Sequence, residues 1–222
     1  MENAGKTIPD YLSAYAGHPG LSLALAHSSA GGENYERLEF LGDRVLSLVV
    51  ADILYERFPD ETEGDMAKRH TALVQGTTLA QVARNLGLAE FIQMSSAERE
   101  AGGAENDNIL ADVMESVIAF LYKELGLVEV KRLISFHFGA LVDEMTAPPQ
   151  DPKTALQEWA QARSLGLPKY EMVGQSGPDH APEFEIEVTI KGYPSARAVG
   201  SSKREAQKRA AQDLFERLSD GQ

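Results

Sequence analysis

Cysteine is absent from all 222 residues, which excludes disulfides, thiolate metal sites and cysteine nucleophiles. No apolar run approaches the roughly 20 residues that a membrane-spanning helix needs. The stretch from Leu21 to Ala26 is too short for a signal-peptide core, and Met1-Glu2-Asn3-Ala4-Gly5-Lys6 lacks the charged and apolar regions of a secretory signal. The expectation is a cytoplasmic protein without a membrane partner. Basic residues are scarce as well, with 21 Lys+Arg against 34 Asp+Glu and a formal net charge of −13. A partner rich in phosphate is normally held by excess positive charge, so the overall balance argues weakly against one. The acid is unevenly spread: residues 1–150 carry 11 Lys+Arg and 23 Asp+Glu, a net −12, whereas residues 151–222 carry 10 and 11, a net −1.

The length exceeds one typical domain, and 43% hydrophobic residues can supply more than one core. Three prolines in Thr146-Ala147-Pro148-Pro149-Gln150-Asp151-Pro152 end the preceding helical pattern and favour an extended linker. The expected division is a helical domain at 1–146, a proline-rich linker at 147–152 and a second domain at 153–222. Before the linker, periodic apolar segments predict helices at about 8–16, 20–29, 34–57, 64–85, 107–125 and 127–145, and nothing alternates like a strand. After it, Pro152 sits at a first helical position behind Asp151, and Ala155, Leu156, Trp159 and Ala160 mark an amphipathic helix. Strands follow at Lys169–Gln175, Glu183–Ile190 and Pro194–Gly200, and Ser201-Ser202 caps a last helix at about 203–218. The fold class is an all-α domain followed by a small α+β domain of order α-β-β-β-α.

Chemistry concentrates in two acidic clusters. In Glu36-Arg37-Leu38-Glu39-Phe40-Leu41-Gly42-Asp43-Arg44-Val45-Leu46, helical spacing puts Glu36, Glu39 and Asp43 in one sector. Leu38, Leu41, Val45, Leu48 and Val49 fall on the other side as an anchoring face. Carboxylates at these spacings repel, and a cation reverses the sign; a few hard oxygen ligands suit Mg²⁺. A solvated acidic face is the competing explanation. The second cluster, Asp112 and Glu115, interrupts the apolar run Ile109-Leu110-Ala111-Asp112-Val113-Met114-Glu115-Ser116-Val117-Ile118-Ala119-Phe120, which contains no basic residue. Ionised carboxylates in such surroundings must be paired, protonated or metal-bound. Leu110, Val113, Met114 and Val117 lie opposite, so two helices could aim their acids at one ion.

These segments resemble the signature of bacterial ribonuclease III, an endonuclease that cuts double-stranded RNA. Phe58-Pro59-Asp60-Glu61-Thr62-Glu63-Gly64-Asp65-Met66 is similar to the family's Phe-Pro and Glu-Gly-Asp-Met stretch. The resemblance implies that Glu39, Asp43, Asp112 and Glu115 are the metal-binding and catalytic carboxylates, with Glu36 and Glu63 as accessory acids. It implies Mg²⁺ as cofactor with Mn²⁺ able to substitute, no organic cofactor, products with 5′-phosphate and 3′-hydroxyl ends, a homodimer, and work on ribosomal and other transcripts. A catalytically silent double-stranded-RNA-binding or ribosome-associated protein is the alternative, and loss of any one cluster acid would have favoured it.

The final 72 residues resemble a double-stranded-RNA-binding domain in element order and in Ser201-Ser202-Lys203-Arg204-Glu205-Ala206-Gln207-Lys208-Arg209-Ala210-Ala211. Such domains read A-form shape across two minor grooves and the phosphates between them. By resemblance the contacts are Thr154, Gln157 and Glu158 on the first helix, His180 in the 177–182 loop, and Lys203, Arg204 and Lys208 at the start of the last helix, where the helix dipole also favours phosphate. Ala206, Ala210, Ala211 and Leu214 form a separate packing face. Two positions depart from the family pattern: Gln207 stands where many relatives carry a third lysine, and Ala104-Glu105-Asn106-Asp107 replaces residues that are often basic. His18, His27, His70 and His137 have no metal-like spacing.

Overall fold

A computed structural model describes residues 5–178 and 182–220, which form two compact units, Met1–Pro149 and Gln150–Gln222. The first contains α1 (Ile8–Ala14), α2 (Pro19–Ala24), α3 (Glu36–Arg57), α4 (Glu63–Val74), α5 (Gly76–Asn85), α6 (Ser96–Glu100), α7 (Asp107–Leu125) and α8 (Leu127–Glu144). Helix α7 is its axis. Ile109, Leu110, Val113, Met114, Val117, Ile118, Ala119, Phe120 and Leu121 are all buried, so this helix is enclosed on nearly every side, chiefly by α3 and α5. Asn106 starts it by accepting from the Asn108 amide at 2.9 Å, and Gly126, at φ 79°, ends it and leads into α8. Among the described residues no helix is long and apolar enough to cross a membrane.

The fold departs from the periodicity of the sequence in several places, among them the unexpected short α6. The 64–85 pattern is two helices rather than one, with Gln75 extended at φ −66°, ψ 147° between them. Thr78 Oγ1 donates to the Ala72 carbonyl at 2.7 Å, so a side chain takes over an acceptor at the end of α4 and Gly76 begins α5. Leu48, expected on the anchoring face of α3, is instead 58% exposed, while Leu38, Val45 and Val49 are buried and Leu41 packs at the core edge. The predicted 20–29 helix stops at Ala24, and a short 3₁₀ turn at Ser28–Ala30 follows.

The α3–α4 connection is clamped by a buried cation. Arg69 is 1% exposed and donates through Nε and Nη2 to Glu61 at 2.8 and 2.5 Å, and through Nη1 to the Met145 carbonyl at 2.5 Å. Its guanidinium also lies 3.8 Å from the Phe58 ring centroid. One side chain thus ties the Phe58–Glu61 loop, α4 and the end of α8 together.

The second unit runs α9 (Pro152–Ala162), β1 (Lys169–Ser176), β2 (Glu183–Thr189), β3 (Ala196–Gly200) and α10 (Lys203–Asp220). The strands form an antiparallel sheet in the order β1-β2-β3, with a bulge between Met172 and Gly174. Strict alternation on β2 sends Ile186 and Val188 inward, where Val188 meets Leu156 and Ala160 of α9 and Ala210, Ala211 and Leu214 of α10. Asp151 caps α9 by accepting from the Lys153 amide at 3.0 Å, and Ser202 caps α10 by accepting from the Glu205 amide at 3.2 Å.

Candidate active site

Helix α3 carries Glu39 and helix α7 carries Asp112 and Glu115, and close packing of the two lets the charges of these acids influence one another. The approach depends on Gly42, where a β-carbon would overlap the Glu115 main-chain carbonyl. All three side chains are partly buried. Glu115 is pushed up to about 7, first by burial and then by the charges of Asp112 and Glu39, with Arg44 opposing. Glu39 is raised by burial, then by Asp112 and Glu36. Asp112 is raised by burial, although the Tyr35 hydroxyl, which donates to it at a long 3.4 Å, and the nearby His27 pull it back. The mutual sensitivity of these groups places their charges in one electrostatic neighbourhood.

The other expected acids have other surroundings. Asp43 is engaged by its own helix, paired with Arg44 and accepting from Ser47 Oγ at 3.4 Å. Arg44 in turn lies 5.2 Å from the Phe40 ring centroid. Glu36 is exposed and lines a hollow of about 510 Å³ with Leu23, Arg37, Leu41 and Lys123, though its charge still reaches Glu39. Glu63, in the first turn of α4, lines a separate hollow of about 380 Å³ with Leu54, Tyr55, Met66 and His70. None of Glu39, Asp112 and Glu115 borders that second hollow.

Hard oxygen donors that are partly desolvated and mutually repelling suit a divalent cation. Glu39, Asp112 and Glu115 have no salt-bridge partner within 4.0 Å among the described residues, so no cation neutralises them directly. Among the described residues, however, no three acidic or histidine side chains stand close enough to enclose an ion by themselves. A divalent ion that keeps several waters and takes only one or two carboxylates directly needs no such enclosure.

Tyr35 and Gly42 are the positions that motif reading missed. Tyr35 stands at the N-cap of α3 and its hydroxyl reaches a residue 77 positions away, a contact that no local period announces. The four histidines without metal-like spacing have structural partners: His18 accepts from the Gly20 amide, His27 from the Ser29 amide, and His137 from the Ile8 amide, while His70 meets the Ser47 carbonyl. The acidic 104–107 segment binds a cation of its own chain, since Arg84 pairs with Asp107 and Glu105.

On the second unit, Thr154, Gln157 and Glu158 are exposed along α9, and Lys203 and Arg204 are exposed at the start of α10. Lys208 is half-buried and paired with Asp151 at 3.1 Å. His180 lies outside the described residues.

Residues 20–139 match the family model described as Ribonuclease-III-like, and residues 152–218 match the double-stranded RNA binding motif. The chain is 45% identical over 202 residues to Ribonuclease 3 of Zymomonas mobilis, covering 90% of this chain and 82% of that one. It is 45% identical over 205 residues to Ribonuclease 3 of Wolbachia pipientis, covering 89% of each. The nuclease domain of ribonuclease III from Campylobacter jejuni superposes with a TM-score of 0.55 at 39% identity, over 60% of this chain and 96% of that domain. The family implies a divalent-metal requirement. The chain belongs to the ribonuclease III family and is an endoribonuclease acting on double-stranded RNA, with a helical nuclease unit followed by an RNA-binding unit.

Proposed function

We propose that the chain is a Mg²⁺-dependent endonuclease in which Glu39, Asp112 and Glu115 hold the metal, with Mn²⁺ able to replace it. The observation that carries this reading is that three partly buried acids without a salt-bridge partner feel one another's charge across the Gly42 contact. When bound, the ion supplies activation of water and neutralisation of charge developing on the phosphate. Glu115 and Asp112, fixed on the buried α7, keep the donor oxygens in place, and Tyr35 orients Asp112 by hydrogen bonding. Asp43 lies one turn along α3, where it positions the attacking water or a second ion once released from Arg44. Glu36 and Glu63 act as accessory acids at the edges of the substrate path. Water oxygen joins phosphorus, the bond to the 3′ oxygen breaks, and a proton passes to that oxygen, leaving a 5′-phosphate and a 3′-hydroxyl.

The RNA-binding unit holds the duplex through Thr154, Gln157 and Glu158 of α9, His180, and Lys203, Arg204 and Lys208 of α10, without reading base sequence in the narrow major groove. We further propose a cytoplasmic homodimer acting on ribosomal precursors and other transcripts. An exposed apolar strip on α3, with Phe40 66%, Leu48 58% and Tyr55 73% exposed, supports a second copy as partner. The Campylobacter jejuni nuclease domain likewise has a region involved in dimer formation.

Two measurements test this. End analysis of the cut duplex should find 5′-phosphate and 3′-hydroxyl; 3′-phosphate or cyclic ends would contradict the water-attack scheme. Sedimentation at working concentration should give about twice the chain mass of 24.2 kDa, and a single species at the chain mass would contradict the dimer.

A further inference from the structure

The RNA-binding unit places an ammonium from α9 beside the basic start of α10. Lys153, the second residue of α9, donates through Nζ to Gln207 Oε1 at 2.7 Å and stands 4.9 Å from the Tyr170 ring centroid. Gln207 lies one turn beyond Lys203 and Arg204 on α10. The charge of Lys153 is thus held at the tip of the Gln207 side chain.

The neighbouring cations divide by whether a carboxylate neutralises them. Lys208 is paired with Asp151 at 3.1 Å, and Arg209 with Glu205 at 2.5 Å. Lys153, Lys203 and Arg204 have no carboxylate within 4.0 Å among the described residues. A hydrogen bond to a neutral amide leaves the Lys153 ammonium its full charge and two further protons to donate. The half-buried stem, resting by the Tyr170 ring, restricts an otherwise mobile side chain before any ligand arrives. Thr154, the next residue, is exposed on the same helix.

We infer that Lys153 contacts RNA backbone phosphate, positioned by Gln207 and Tyr170, while Asp151 holds Lys208 back from that role. The free cations of the surface are then Lys153, Lys203 and Arg204, a set that straddles two helices. This rests on the RNA-binding reading of the second unit and revises its contacts, adding Lys153 and withdrawing Lys208 for as long as Asp151 pairs with it.

The test measures affinity of the full chain for perfect-duplex RNA in EDTA, which prevents cutting, over a series of potassium chloride concentrations. Loss of one phosphate contact lowers the slope of log affinity against log salt by roughly one unit. K153Q should show that drop and bind several-fold more weakly. Q207E should show it too, because a carboxylate neutralises Lys153 in place, and its melting temperature should not fall, which separates charge from folding. D151N keeps a capping side chain and frees Lys208, so its slope should steepen by roughly one unit. K203Q serves as the comparison. Wild-type slopes for K153Q and Q207E beside a reduced slope for K203Q would overturn the role of Lys153 alone. An unchanged slope for D151N would overturn the restraint on Lys208. Absence of salt-dependent duplex binding by the unmodified chain would overturn the RNA-binding reading itself.

Discussion

Gly42 of α3 lies directly against the main chain of Glu115 on α7, with no room for a β-carbon before the Glu115 carbonyl oxygen. The obstacle is backbone at the centre of a buried helix, so it cannot swing aside as a side-chain tip could. Gly42→Ala must separate the helices and with them Glu39 from Asp112 and Glu115. The expected result is destabilisation by at least about 1–3 kcal/mol and cleavage slowed by about 100-fold. Urea unfolding and single-turnover cleavage check both; wild-type behaviour in either would contradict the contact.

Glu115→Gln keeps the side-chain shape and removes the charge that burial and two neighbouring acids already oppose. Folding should be unharmed or slightly improved, because an uncompensated charge is relieved. Duplex binding should persist and cleavage should be lost. Cleavage at the wild-type rate would remove Glu115 from the reaction.

Arg69 cannot leave without stranding Glu61, the Met145 carbonyl and the Phe58 ring face. Breaking a buried pair by removing one partner costs about 3–5 kcal/mol. Arg69→Met should lose stability of that order in chemical denaturation, and Arg69→Lys should recover only part, since one ammonium cannot make the two parallel bonds to Glu61. A loss below about 1 kcal/mol, the scale of exposed pairs, would show that the clamp is not needed.

The half-buried His137 predicts a pH effect. Burial first, and then the charge of Arg132, hold its imidazole below the ordinary histidine range, and its Nε2 accepts from the Ile8 amide at 3.3 Å, which requires that nitrogen to be unprotonated. The unfolded chain binds the proton more readily, so this contribution is complete above the unfolded value and is lost as pH falls through that value toward the folded one. Glu115, at about 7, titrates in the same window with the opposite sign. The readout is therefore the difference between the unmodified protein and His137→Gln, whose amide oxygen can still accept. From roughly pH 7.5 to 5.5 the unmodified protein should lose more melting temperature than the variant; parallel curves would contradict it.

Local periodicity and residue chemistry carry much of the fold but not its long-range contacts. The enclosure of α7 is legible because apolar residues run along it with only Asp112 and Glu115 interrupting, and the caps at Asp151 and Ser202 are legible from residue type. Leu48 is misplaced by periodicity because spacing along one helix marks an apolar face without saying whether its own chain covers it. The α4–α5 break is hidden because Thr78 acts through a side-chain bond, not through hydrophobic spacing. Long-range pairings lie beyond local reading: Tyr35 with Asp112, Gly42 with Glu115, Lys153 with Gln207. Six acids can be named from motifs, but only folding shows that Glu39, Asp112 and Glu115 are partly buried and feel one another's charge while Glu63 borders a hollow that none of them lines.

Cleavage of end-labelled perfect-duplex RNA, compared with matched single-stranded RNA and duplex DNA, each with Mg²⁺ and with EDTA, tests the central claim most directly. Cutting of duplex RNA alone, and only with Mg²⁺, is the predicted result. Tight binding of duplex RNA without cutting in Mg²⁺, or cutting that persists in EDTA, would contradict it.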